Sequence, residues 1–498
     1  MSQLINNLSQ LTADALQEFQ KAAQSPIPEQ ELKKAGVTVA SGFTAYDLQA
    51  PAKNLFPVLT PLRNATPRVN GGGGDATNWK QVTGINTASL RGFVPEGERN
   101  GLVTTAATPK SATYKAMGLE DSITFEAELA ARGFEDIRST QAQRLLWATM
   151  IEEELAILGG NYSVALGTPT APTVSVTTTG GSIADGTYSV IVAALTLQGY
   201  LASSLAGGVA GLVSVNPADG GTAFTYGGGS SMKSSATSTG AISATGANII
   251  KASTPVVTGA VAYAWYVGVS GSEKLEAITT INSVALSSLA GTGQAATAIT
   301  ADQSKNLLGY DGLLYHAWNS GSGAYIKNMA TGTAGTGTGL TAVSDGSIQE
   351  INDLFRWLWD NHRISPSKIY VNAQEADNIT KKILTATGAH INYVSGSEFA
   401  GGNRVKSLLN RFAMGAAPDV PVMIHPNMPP GTILAVTESL PYPINGVPNV
   451  FEMRLRRDYY QMEWAQRTRK YESGVYYDGV LACYAPFTLG VIANIANA

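Results

Sequence analysis

Leu4, Leu8, Leu11, Ala15 and Phe19 recur at helical spacing and predict an amphipathic helix within residues 1–35. Ser25-Pro26-Ile27-Pro28 ends it, because proline cannot continue a helix and restricts the residue before it. So thin a helix has no core of its own and needs another surface to pack on. From Arg63 to Lys115 the helical period disappears. Trp79–Val82 and Ala112–Lys115 read as the two legs of a long hairpin, with Pro95-Glu96-Gly97-Glu98 near its tip. A long irregular excursion inside a folded domain is usually functional. Strict alternation follows. Met117, Leu119, Ile123, Phe125, Ala127 and Leu129 face one way, with Asp121 the single break, which predicts a half-buried strand. Residues 134–158 then carry Phe134, Ile137, Leu145, Ala148, Ile151, Leu155 and Leu158 on one broad helical face. Glu135 and Asp136 are expected in the first turn, and Gly159-Gly160 is expected to stop the helix through a positive φ.

At Gly160 the pattern changes again. Thr187–Val192 and Tyr263–Val267 are short alternating runs separated by glycine- and serine-rich turns, as in an all-β sandwich. This stretch, 160–306, resembles an immunoglobulin-like or fibronectin-like insertion and is expected to fold by itself and face outward. Beyond Leu307 the pattern is mixed α/β. Ser347 and Glu350 have capping-box spacing ahead of an amphipathic helix through Leu358, which Ser365-Pro366 breaks. Ile369–Val371 reads as a strand, Asn372 as the cap of a second helix through Leu384, and Val420–Ile424 and Ile433–Val436 as further strands. The tail from Val450 to Tyr484 is again extended.

Composition sharpens this picture. Only 14% of the 498 residues are charged, against roughly 25% in ordinary soluble proteins, while 53 are glycine. Residues 160–300 hold just Asp185, Asp219, Lys233, Lys251, Glu273, Lys274 and Glu276 as charges. A net charge of −4 argues against an electrostatic nucleic-acid binder. The single cysteine, Cys483, excludes an intrachain disulfide and reads as a small buried apolar residue. No stretch approaches the eighteen or so apolar residues of a membrane span, and the start is not that of a signal peptide.

Reactive motifs are missing. Gly71-Gly72-Gly73-Gly74 lacks the following lysine of a phosphate loop, and Asp75 would repel phosphate, so a flexible loop is expected. Glu152-Glu153-Glu154 point in different directions around a helix and read as a solvated face. His316, His362, His390 and His425 are not spaced as metal ligands, and there is no Gly-x-Ser-x-Gly elbow. No catalytic, cofactor or metal site is assigned. Arg454-Leu455-Arg456-Arg457 with Tyr459 and Tyr460 offers charge and stacking to a nucleic acid, but Glu452, Asp458 and Glu463 interleave with it. That alternation of sign favours a salt-bridged strand between subunits.

The order of these parts resembles the tailed-bacteriophage major capsid family with the Hong Kong 97-type fold, an α+β architecture. Three segments carry the resemblance: Phe125–Glu128 running into Leu145–Trp147 and Ile151–Leu155; Gly309–Leu314 leading to Ile351–Trp359 and Ile369–Asn372; and Tyr459–Trp464 through Tyr471 to Pro486. The resemblance implies an N-terminal arm (1–62), an extended loop (63–115), a peripheral domain with a spine helix (116–159), an axial domain (307–440) and a return through the peripheral domain (441–498). The block at 160–306 departs from that order. The implied role is a non-enzymatic shell subunit that assembles with itself into hexamers and pentamers around double-stranded DNA. It would fold in the bacterial cytoplasm and reside in the virion. A scaffolding protein, a portal and decoration proteins are its candidate partners, contact with packaged DNA is at most weak and nonspecific, and no membrane is involved. The alternative is another phage or surface protein, a tail subunit or adhesin with a β-sandwich. Candidate inter-subunit contacts are Glu96, Glu98 and Arg99 at the hairpin tip and Arg454, Arg456 and Arg457 in the tail.

Some members of the family join a loop lysine to a neighbour's asparagine. Here no lysine lies between Lys80 and Lys110, and Arg99 stays protonated and is no nucleophile. A denaturing gel of boiled, reduced particles is therefore expected to show one band near 52.0 kDa; a ladder of multimers would contradict it.

Overall fold

The computed structural model describes residues 55–243, 246–385, 405–413, 418–442 and 446–497. The N-terminal helix expected within 1–35, most of the arm and His390 lie outside the described residues. The chain divides into two units, Met1–Phe56 with Ala131–Asp136, and Pro57–Ala130 with Ile137–Ala498. In the first, the amides of Phe134 and Glu135 donate to the Ala131 carbonyl at 2.9 and 3.1 Å, a turn in which Gly133 has φ +86°.

The second unit begins with a short helix α1 (Pro61–Ala65), proline occupying the first turn where its missing N–H is not needed. It continues into β1 (Arg68–Asn70). β2 (Ala76–Ile85) and β3 (Thr105–Thr113) form an antiparallel ribbon that pairs with no other strand among the described residues. Trp79 lies opposite Lys110 and Ala112 opposite Thr77, so the second leg is Ala107–Lys110 where Trp79–Val82 was expected to meet Ala112–Lys115. The buried Tyr114 closes the ribbon earlier, its amide donating to the Asp75 carbonyl at 3.0 Å. Lys115 opens the next strand, β4 (Lys115–Thr124).

The alternation through Leu129 predicted more strand than is present. β4 ends at Thr124, opposite Lys470, the first residue of its partner strand. With no strand left to pair, Phe125–Ala131, rich in Ala, Glu and Leu, forms helix α2, and Thr124 Oγ1 accepts the Ala127 amide at 3.3 Å. Helix α3 (Ile137–Gly159) is 23 residues, about 34 Å long. It starts after Glu135 and Asp136, which were expected in its first turn. Neither Gly159 nor Gly160 has a positive φ. They are needed for close approach: the Gly312 amide donates to the Gly160 carbonyl at 2.8 Å, and a Cβ on Gly312 would lie 2.5 Å from the Ala156 carbonyl oxygen.

The block after Gly160 contains β5 (Thr173–Thr177), β6 (Gly186–Leu195), helix α4 (Leu197–Ala202), β7 (Leu212–Val215), β8 (Phe224–Gly227), β9 (Thr237–Ile242), β10 (Ile249–Ser253), β11 (Ala262–Gly268), β12 (Lys274–Thr279) and β13 (Ser283–Leu286). Sheets β13-β10-β5 and β12-β11-β6-β9 share a core that includes Val190, Val192, Ile250, Trp265 and Val284. The block is tied to the rest of the unit at two places. Ile191, Leu195, Ala264 and Tyr266, on the other face of the four-stranded sheet, join a core with helix α5 (Leu313–Trp318). Tyr315 of α5 donates to the Gly259 carbonyl at 3.0 Å and accepts the Leu197 amide at 3.2 Å. At the far end, Asn282 and Asn494 exchange hydrogen bonds of 2.8 and 3.0 Å. Burial on both faces explains why Val190–Leu195 is an unbroken apolar run.

The remaining elements are β14 (Tyr325–Asn328), α6 (Gln349–His362), β15 (Lys368–Val371), α7 (Ala373–Thr385), β16 (Ser407–Leu409), β17 (Asp419–Ile424), β18 (Ile433–Val436), β19 (Phe451–Glu463), β20 (Lys470–Cys483) and β21 (Gly490–Ala493). A mixed sheet runs β14-β21-β18-β15-β17-β16. The tail therefore does more than return: its last strand inserts between β14 and β18. The capping box does not form. Ile348 is the N-cap, and Glu350 accepts the Thr341 amide at 3.0 Å. α6 ends before the proline, at Arg363 with φ 56°. Asn372 does cap α7, its Oδ1 accepting the Gln374 amide at 3.0 Å. A second sheet runs β1-β19-β20-β4, and α3 packs against β4 and β20. Cys483 is buried, which pushes its thiol up to about 12.

Gly312→Ala is expected to destabilise by about 2–3 kcal/mol, because carbonyl and amide atoms cannot yield to the new methyl group. Gly72→Ala, with nothing within 4 Å of the added carbon, should stay within about 0.5 kcal/mol. Thermal unfolding of the two variants is the check; equal effects would contradict the junction.

Candidate functional site at the hairpin root and tip

Glu153 and Glu154, expected on a solvated face, are both fully buried. Neighbours on a helix point about 100° apart, so the two carboxylates serve different groups. Glu154 accepts the first-turn amides of α1, Leu62 at 2.9 Å and Arg63 at 2.6 Å. It also meets His425 Nε2 at 2.5 Å. The Asn427 amide donates to His425 Nδ1 at 3.2 Å, which assigns the proton to Nε2. Glu153 holds Arg63 Nε at 2.8 Å and Arg68 Nη1 at 2.7 Å and accepts from the Tyr459 hydroxyl.

The network closes through the return strands. Arg68 Nη2 reaches Asp458 at 2.7 Å, and the Arg63 and Arg68 guanidinium groups each lie 5.1 Å from the Tyr459 ring centre. Burial pushes the Asp458 carboxyl up, but hydrogen bonds from Arg68 and the Tyr459 amide outweigh it and hold the carboxyl below its ordinary range. Burial, then the charge of Glu153, raises the Tyr459 hydroxyl well above the usual phenol range, so it remains a donor. Behind it Tyr310 and Tyr477 share a hydrogen bond of 2.9 Å. The effect is mechanical. Residues 61–70, which lead into the hairpin, are fixed at once to α3, to β19 and, through His425, to the loop after β17.

The other end of the hairpin is open. Residues 86–104 form a loop with its own hydrogen bonds: Thr87 N–H to the Thr104 carbonyl at 3.0 Å, and Asn86 Oδ1 accepting the Leu90 amide at 3.0 Å. On or beside it, Val82, Ile85, Phe93, Val94, Leu102 and Val103 are exposed, Phe93 to 98%.

Glu96, Glu98 and Arg99 lie exposed at this tip, with no side-chain partner among the described residues. The tail arginines lie elsewhere, on β19. They are engaged within the chain: Arg454 with Glu452 at 2.9 Å, and Arg456 Nε with Asp478 at 2.7 Å, a partner the sequence reading did not name. Arg457 stacks on Tyr460 at 3.9 Å. The structure therefore does not gather the predicted residues into one site. The Glu153–Glu154 cluster was missed, although Glu154 follows Ile151 by three residues and precedes Leu158 by four. That spacing placed it on the apolar face.

Several solved structures are similar to this chain. They include the capsid of a native GTA particle (10% identity, 93% of this chain and 99% of that one, TM-score 0.43) and the capsid of Myoviridae phage XM1 (10%, 92% and 99%, 0.41). A third is the holo-SrpI encapsulin complex of Synechococcus elongatus PCC 7942 (10%, 90% and 94%, 0.36). No family model and no curated protein matches the chain. Among the described residues no helix is long and apolar enough to cross a membrane, and no group of three or more His, Cys, Asp or Glu side chains is placed to hold a metal ion.

Glu153→Gln leaves Arg63 and Arg68 facing a neutral group in a buried site and is expected to destabilise by about 3 kcal/mol or more. Arg457→Gln, at an exposed stacking contact, should change stability by less than about 1 kcal/mol. Chemical denaturation compares them, and a silent Glu153→Gln would remove the cluster's structural role.

Proposed function

We propose that the chain is the major capsid protein of a tailed bacteriophage, the repeating subunit of an icosahedral shell of hexamers and pentamers enclosing double-stranded DNA. The observation that carries this reading is the hairpin β2–β3. Among the described residues it is an unaccompanied ribbon, and it ends in a loop of exposed apolar side chains. An isolated two-stranded ribbon is marginal in water, and contiguous exposed apolar residues mark an interaction site. Burial against a neighbour stabilises by about 25 cal/mol per Å² of apolar surface. Such a contact, repeated by symmetry, needs only one kind of subunit.

The order of parts supports the same reading: hairpin, long helix, mixed sheet and returning strands follow one another as in the capsid family the sequence resembles. In this reading Arg99 makes a charge-assisted hydrogen bond to a neighbour's carboxylate, and Glu96 and Glu98 meet neighbouring cations. Arg454 and Arg456 are engaged inside their own chain and stiffen the sheet that presents the hairpin, leaving Arg457 as the tail's contact. The block 160–306 is an immunoglobulin-like insertion docked on the shell domain. Scaffold, portal and decoration proteins are the further partners, and the virion is the location. The protein works by assembly, without catalysis or cofactor.

Electron microscopy of the purified protein tests this directly. Closed shells, or rings of five and six subunits, are the expected result. Tubes or isolated monomers at high protein concentration would overturn it.

A further inference from the structure

Beside the hairpin root lies a cavity of about 340 Å³. Its walls come from the two hairpin legs (Trp79, Lys110), the turn after α5 (Asn319, Ser320) and the end of β20 (Leu481, Cys483). We infer that this cavity binds a small organic anion: a planar apolar body carrying a carboxylate or sulfonate. All of the lining belongs to one chain, so the inference stands apart from the shell reading.

Size and lining come first. The volume falls at the small end of ligand pockets and gives room for about two fused rings with a short charged arm. One side is aromatic. Trp79 is half-buried, its ring held edge-on against Tyr484 with ring centres 5.2 Å apart. Tyr162 is exposed, and both rings keep surface for a ligand to cover. The buried Leu481 and Cys483 complete the apolar part.

Charge selects the sign of the ligand. The lining holds the two ammonium groups of Lys110 and Lys115 against the single carboxylate of Asp311. Asp311 is already engaged, its Oδ1 accepting the Tyr162 and Ser163 amides at 2.8 and 2.9 Å. Lys110 is exposed and has no ion-pair partner among the described residues. Lys115 donates to the Leu307 carbonyl at 2.8 Å and lies 4.8 Å from the Tyr162 ring centre. His316 adds no charge: its Nε2 donates to the Leu481 carbonyl at 3.3 Å, and burial pushes the imidazole below its ordinary range. Cys483 stays a neutral thiol. Two cations against one anion leave the lining net positive. Ser320, exposed and with no hydrogen-bond partner among the described residues, adds a hydroxyl donor. A bare inorganic anion leaves the aromatic side uncovered, and a neutral ring leaves the lysines unpaired. One molecule with both parts gains from each. An occupant touching the hairpin legs, the turn after α5 and β20 at once also clamps them together, because it binds only their folded arrangement.

The test uses the full chain with dansylglycine, an aromatic carboxylate whose fluorescence rises on leaving water, and dansylamide, its uncharged counterpart. A single saturable dansylglycine site per chain is expected, with dansylamide weaker by about tenfold or more. Lys110→Glu alters an exposed side chain; it should weaken dansylglycine by about tenfold or more and change dansylamide little. Ser320→Trp, also at an exposed position, fills the cavity and should weaken both probes. Phe93→Ala, at the exposed hairpin tip, should leave binding unchanged. Far-UV circular dichroism checks the fold of each variant. Dansylglycine should also raise the Tm of the unmodified chain and not that of Lys110→Glu. Absence of a saturable site, equal affinity for the two probes, or dansylglycine binding indifferent to either cavity substitution would overturn the inference. So would loss of binding in Phe93→Ala, which places the probe on the tip instead.

Discussion

Two adjacent buried carboxylates organise the core of this molecule. Taking Glu153 and Glu154 out of water is unfavourable unless every oxygen finds a donor, and the donors come from far apart in the sequence: α1, β1, β19 and the loop after β17. Hydrophobic burial would hold these elements together in several relative positions. Directional hydrogen bonds to a fixed pair of carboxylates select one. The cluster therefore defines the angle at which residues 61–70 leave the helix, and with it the direction of the hairpin.

The hairpin reverses this logic. Its root is anchored by the cluster and by Tyr114, while its tip carries more apolar surface than a folded chain leaves uncovered without reason. A rigid root with an unsaturated tip is the arrangement expected of a part whose partner is another molecule. The block 160–306 adds a second rigid element. The central strands of its four-stranded sheet, β6 and β11, are buried on both faces, and its attachment at α5 and at Asn494 makes it an extension of the main core.

Where helix α3 ends, glycine contributes through absence of volume and not through an unusual backbone angle. Gly160 and Gly312 let two backbone segments touch where helix α3 ends and α5 begins. The sequence shows the glycines but not the distant partner, which is why the stop at Gly159-Gly160 looked like a local event. The same blindness affected Ser347 and Glu350. Their spacing fits a capping box, yet a remote amide, Thr341, takes the glutamate.

Local chemistry determined much of the chain. The long helix, the hairpin with its tip at Pro95–Glu98, the strands at Ile369, Val420 and Ile433 and the Asn372 cap follow from periodicity, proline and side-chain hydrogen-bonding capacity, all properties of neighbouring residues. Tertiary structure decided what depends on residues brought together from afar. It ended β4 where its partner strand ran out, moved the hairpin register and placed β21 inside a sheet formed by residues well before it. It also turned Glu153 and Glu154 inward. A charge run reads as solvated because isolated burial is unfavourable, and only the fold supplies the arginines, tyrosine, histidine and amides that reverse that balance.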